Sequence, residues 1–65
     1  MNNIYAFEPV YTYSGGCILV AAKTKKQALI TIKTHPNSSD FEFVGLLRNI
    51  KTTKKGIVYS AYYIH

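Results

Sequence analysis

The sequence predicts an α+β domain with the element order ββαββ, a four-stranded antiparallel sheet with one helix packed on one face. Three observations carry that reading. Four segments are dense in β-branched and aromatic residues and are separated by turn signals. Only one stretch, opening at Thr24, has helical spacing behind a capping residue. The 65 residues are expected to form one domain around one small core, without a large enclosed active site.

The first strand is expected over residues 4–13. Tyr5, Phe7, Tyr11 and Tyr13 share one parity there, and Ile4, Ala6, Glu8, Val10 and Thr12 share the other. Pro9 has no N–H to give to a ladder, so it marks an edge or a bulge. Ser14-Gly15-Gly16 reads as a tight turn, and residues 17–22 as the second strand of a hairpin. The helix is expected over residues 25–34. Thr24 and Gln27 stand at capping-box spacing, and His35-Pro36-Asn37 closes the segment. Ala28, Leu29 and Ile32 fall on one helical face. Ile30 lies off it, between Lys26 and Lys33 at spacings of four and three. After a polar loop at residues 37–40, the third strand is expected over residues 41–50, where Gly45 suggests a bulge or a close approach. Residues 51–56 form a basic connection, and residues 57–64 the fourth strand. The chain therefore reads as two hairpins joined through one helix.

The formal net charge is +5, with Glu8, Asp40 and Glu42 as the only acids. That balance favours an acidic partner, whether nucleic acid, an acidic protein face or a phosphorylated ligand, and it also serves solubility. Cys17 is the single cysteine. It cannot form an internal disulfide, it reads as a small buried hydrophobe, and it fits a reducing cytoplasm. Residues 1–3 are not a basic n-region, no apolar h-region follows, and no apolar run approaches a membrane span. Neither a signal peptide nor a membrane partner is expected.

Little points to catalysis. Cys17, His35 and His65 are scattered, without the spacing of a zinc site, and no metal or cofactor is expected. The three carboxylates show no catalytic pairing. Gly15-Gly16 lacks the Lys-Ser/Thr tail of a phosphate loop. A binding protein, not an enzyme, is the expected class.

Two features remain for function. Lys23, Lys25 and Lys26 crowd the start of the helix, where the macrodipole is already positive and an anion would be favoured. With Ile30 as an apolar anchor and Lys33 further along, they form a candidate docking face for a protein or nucleoprotein partner. The alternative is a nucleic-acid surface in which Lys51, Lys54 and Lys55 meet phosphates while bases stack on Tyr11, Tyr13 and Tyr59. A third reading is sequestration of a phosphorylated small molecule at the helix N-terminus. One helix covers one face of a sheet, and neither strand parity is cleanly polar. A tyrosine-rich second face is therefore expected to stay partly exposed in a monomer, and homodimerisation is the commonest way to cover it.

The run Tyr13-Ser14-Gly15-Gly16-Cys17-Ile18-Leu19-Val20-Ala21-Ala22, followed by Thr24-Lys25-Lys26-Gln27-Ala28, resembles a recurrent type of very small bacteriophage or mobile-element protein. The shared pattern is a Gly-Gly turn, an apolar strand ending in Val-Ala-Ala, and a Ser/Thr-capped helix with Ala in its first turn. In size, charge and architecture the chain also resembles phage anti-defence inhibitors such as anti-CRISPR proteins. The resemblance implies a non-catalytic blocker of a host nucleoprotein complex, acting in the host cytoplasm. Such inhibitors share no motif, so it implies no binding residue. Many of them are acidic mimics of nucleic acid. This basic chain departs from that pattern and would seat instead on an acidic protein patch or on bound nucleic acid.

Overall fold

The computed structural model describes residues 1–64. It contains strands β1 (Asn2–Pro9), β2 (Ser14–Ala22), β3 (Phe41–Thr52) and β4 (Gly56–Ile64), with helix α1 (Lys25–Ile32) between β2 and β3. A single 3-10 turn, Ser38–Asp40, precedes β3. The fold is α+β with four antiparallel strands in one sheet, as the sequence predicts.

The strand order, β3-β1-β2-β4, corrects the two-hairpin reading. β3 pairs with β1 and β4 with β2, so the last two strands lie on opposite edges. Burial gives the reason. Phe7, Ile18 and Val20 are 1%, 0% and 0% exposed, and all three sit on the first hairpin. Residues this apolar are shielded best when a strand lies on either side of them. β2 and β3 then run in the same direction with β1 between them, so α1 is a crossover connection, while residues 53–55 span the end of the sheet. Asn2 secures that span by donating from its side-chain amide to the Lys54 carbonyl, and the Lys51 ammonium donates to the Asn3 side-chain oxygen.

Strand boundaries differ from expectation at the first turn. β1 stops at Pro9, and the Val10 N–H donates to the Asp40 carbonyl at 2.9 Å instead of to a β2 partner. Tyr11 and Tyr13 therefore belong to the turn, their rings stacked at 5.2 Å. Ser14, Gly15 and Gly16 are the opening of β2, not the turn, and pair with Ile64, Tyr63 and Tyr62. Gly16 has φ +110°, and a Cβ there would stand 2.0 Å from the Ala61 carbonyl oxygen. Only glycine accommodates both conditions. The expected bulge near Gly45 is present. The β1–β3 register shifts between Ala6 and Phe7, leaving Val44 as the extra residue. Close approach is not the reason for that glycine, since a Cβ at Gly45 would meet nothing within 4 Å.

Thr24 caps α1 as its spacing suggests, its hydroxyl accepting from the Gln27 N–H at 3.2 Å. The helix ends at Ile32, two residues short of expectation. The following turn tightens to i→i−3 bonds, from Thr34 N–H to the Thr31 carbonyl and from His35 N–H to the Ile32 carbonyl. Ala28 and Ile32 face the sheet, whereas Leu29, expected beside them, is 39% exposed. An eight-residue helix is about 12 Å long, so it seals a narrow stripe and covers less than half the length of a nine-residue strand.

Aromatic side chains close the rest of that face. Phe41, at the start of β3, meets Tyr62 of β4 edge-on at 5.1 Å, so side chains from opposite edges touch over the sheet. Phe43 packs on Phe7 at 5.7 Å, and His35 leans on Phe41 at 6.2 Å. The Tyr62 hydroxyl donates to Asp40 Oδ2 at 3.3 Å. With its one proton so used, it accepts from the Ser14 hydroxyl at 3.5 Å.

The two glycines separate cleanly in a stability measurement. Gly16→Ala is expected to lower the unfolding free energy by about 2–3 kcal/mol through backbone strain and overlap with Ala61. Gly45→Ala is expected to stay within about 0.5 kcal/mol of wild type. Urea denaturation followed by circular dichroism checks both.

Candidate functional site

Strand pairing assembles the basic residues at one end of the sheet. Asn2 lies opposite Thr52, Asn3 opposite Lys51, and Ala21 opposite Gly56. The connection carrying Lys54 and Lys55 therefore runs beside the junction at which β2 enters α1. Lys23 and Lys55 together with Asn2, Ala22 and Gln27 line an open cleft of ≈ 370 Å³. A smaller hollow of ≈ 180 Å³ adjoins it, lined by Ala21, Ala22, Gln27, Ile30, Thr31 and Lys55. Lys55, read from sequence as part of a nucleic-acid surface, thus shares a surface with Lys23 and Ile30, read as part of a docking face.

Asn3 ties the two basic segments together. Its side-chain amide donates to the Lys23 carbonyl at 3.3 Å while its oxygen accepts from Lys51. Lys54 is held by its own backbone N–H, which donates to the Thr52 hydroxyl at 3.0 Å. Sequence reasoning overlooked Asn2 and Asn3. Their only signal was a pair of amide side chains at the head of a strand, and their importance comes from the strand order.

The remaining residues of the expected docking face divide. Lys25 places its ammonium 4.4 Å from the centre of the Phe43 ring, a cation–π contact that directs it onto β3 and away from the cleft. Lys26, Ile30 and Lys33 follow the outer helical face, with Ile30 59% exposed. Lys33 is the C-cap residue, about 10 Å along the axis from Lys26. At the helix N-terminus the Gln27 N–H is already taken by Thr24, so fewer backbone donors remain for an anion.

The tyrosines do not join the lysines. Tyr11 and Tyr13 sit in the turn at the far end of β1, a strand length of about 25 Å from Lys51, Lys54 and Lys55. Tyr59 pairs with Leu19 on the helix-free face. That face also carries Ala6, Cys17, Ala61 and Tyr63, while Tyr5 and Tyr62 point to the helix side. The tyrosine-rich second face thus reduces to Tyr59 and Tyr63 among smaller apolar residues.

Other reactive groups lie apart from the cleft. Glu8 stands directly across from Glu42, both exposed, and Asp40 is engaged by Tyr62. His35 Nδ1 accepts from the Asn37 N–H at 3.1 Å, consistent with its reading as a helix-end residue. Among the described residues, no group of three His, Cys, Asp or Glu side chains could hold a metal ion; His65 lies outside them. Among the same residues, no helix is long and apolar enough to cross a membrane. No known protein family, curated protein or solved structure matches the chain.

The Lys25 geometry gives a simple contrast. Lys25→Ala is expected to cost about 0.5–1 kcal/mol through the lost contact with Phe43. Lys26→Ala, on the outer face, is expected to remain within about 0.5 kcal/mol of wild type. Thermal denaturation of the two variants side by side measures the difference.

Proposed function

We propose that the chain is a non-catalytic binding protein that docks its basic end on an acidic patch of a protein partner. In this reading it acts as a phage-type inhibitor seated on a host defence complex in the host cytoplasm. The observation that carries the docking surface is the meeting of Lys23 and Lys55, one from each lysine cluster, in a cleft that adjoins the exposed Ile30. Lysines at a rim steer the encounter and select an acidic patch, and an apolar side chain at the centre slows dissociation. A purely electrostatic phosphate binder has no use for an exposed isoleucine beside its lysines. The strand-to-capped-helix resemblance of residues 13–28 supports the phage-type part of the reading.

The nucleic-acid alternative loses Tyr11 and Tyr13 from its stacking platform, because both lie at the opposite end from the lysines, and keeps Tyr59 alone. Two variants test the proposal, Lys23→Glu/Lys55→Glu and Ile30→Asp, each checked for native circular dichroism. Capture of a defence complex from a bacterial host lysate is expected to survive nuclease treatment with wild type and to be lost with both variants. Unchanged capture by both variants would overturn the docking surface. Binding of generic oligonucleotides that weakens steeply with salt, with no nuclease-resistant capture, would decide for the nucleic-acid reading.

A further inference from the structure

We infer that β4 is a self-pairing edge, through which a second copy of the chain adds its own β4 antiparallel about a two-fold axis at Ala61. The inference is independent of the proposed function. It follows from the contrast between the two edges of the sheet.

β3 is a defended edge. It carries Glu42, Arg48 and Lys51, and its ladder with β1 is broken twice. Val44 is one extra residue. Arg48, Asn49 and Ile50 form a second excursion between Lys51 and Leu47, with Asn49 at φ 64°. Charges and bulges of this kind are how sheets discourage pairing at an edge.

β4 has almost none of these devices. Among the described residues it pairs only with β2. From Gly56 to Ile64 it contains no charged residue and no proline, in a chain of net charge +5. Its one register shift lies near its start, between the pairs Leu19/Tyr59 and Val20/Ile57, so the pairing with β2 is regular from Tyr59 onward.

Self-pairing, as opposed to pairing with a foreign strand, follows from symmetry and charge. A two-fold axis at Ala61 sets Tyr59 of each copy opposite Tyr63 of the other. Both are on the helix-free face, 52% and 54% exposed, and the small alanine sits at the axis. Cross-strand aromatic pairs are favourable on an antiparallel ladder. The same axis sets Ser60 opposite Tyr62 on the helix side. Antiparallel pairing also sends the two basic ends to opposite poles, whereas parallel pairing would set them side by side. β4 is thus the place where two cationic copies can meet without opposing their charges.

Sedimentation velocity over a wide concentration range tests the association. An edge contact is small, so dimers are expected to become populated at about 100 μM. Tyr59→Lys/Ser60→Lys is expected to weaken association at least tenfold, and Val44→Lys/Ile50→Lys on the opposite edge to leave it unchanged. The mass of a single chain at millimolar concentration would overturn the inference, and so would dissociation by the β3 variant in place of the β4 variant. Register is read by Ala61→Cys in a Cys17→Ser background. Directly opposed Cα atoms about 4.5–5.5 Å apart lie within disulfide reach. Rapid oxidation to a covalent dimer at Ala61→Cys, faster than at Ser60→Cys, is expected; the reverse order would overturn the axis at Ala61.

Discussion

Phe7, Ile18 and Val20 are sealed from solvent because the hairpin that carries them has a strand on each side. The other features of the molecule follow from that requirement. If β3 and β4 formed their own hairpin, one of the two central strands would become an edge and its apolar side chains would lose cover on one flank. Splitting the last two strands between the edges removes that cost. It obliges the connection from β2 to β3 to cross β1, with α1 itself packed on β2 and β4, and residues 53–55 to span the end of the sheet. That span brings Lys54 and Lys55 to the helix start and makes one basic surface from two separate sequence clusters.

A two-turn helix cannot cover the whole inner face of such a sheet, so the far half is closed by rings. Phe41 and Tyr62 reach across from opposite edges, and Asp40 and Ser14 fix the Tyr62 hydroxyl between them. One of the three acids is thereby used structurally, and the other two face each other as Glu8 and Glu42 at the same end. The molecule is polarised along its length, with Lys23, Lys51, Lys54 and Lys55 at one end and the carboxylates at the other. A charge distribution of this kind orients a charged partner before contact.

Much of the fold was legible in the sequence because it depends on local signals. Thr24 and Gln27 marked the helix start, Ala28 and Ile32 its inner stripe, and the β-branched and aromatic runs marked all four strands. The Gly45 bulge was visible, but Gly16 was misread, since Gly-Gly before an apolar strand looks like a turn. Its actual role, yielding to the Ala61 backbone, depends on a strand more than forty residues away. Strand order was not legible, because hairpin periodicity says which residues alternate and nothing about which edge a strand joins. The candidate site inherits that limit. Its residues were mostly named, but Lys23 and Lys55 were assigned to different surfaces, Lys25 was placed at the contact though it lies on Phe43, and Asn2 and Asn3 were passed over.

The core, the end-spanning connection and the basic surface all depend on strand order, which nuclear Overhauser contacts between backbone protons report. The structure predicts cross-strand contacts pairing Cys17 with Ala61, Ala21 with Gly56 and Phe7 with Phe43, and a contact between the Phe41 and Tyr62 rings. A continuous ladder of contacts between β3 and β4 across residues 53–55, with Cys17–Ala61 absent, would contradict it. That result would separate Lys23 from Lys55 and dissolve the basic end with the order that creates it.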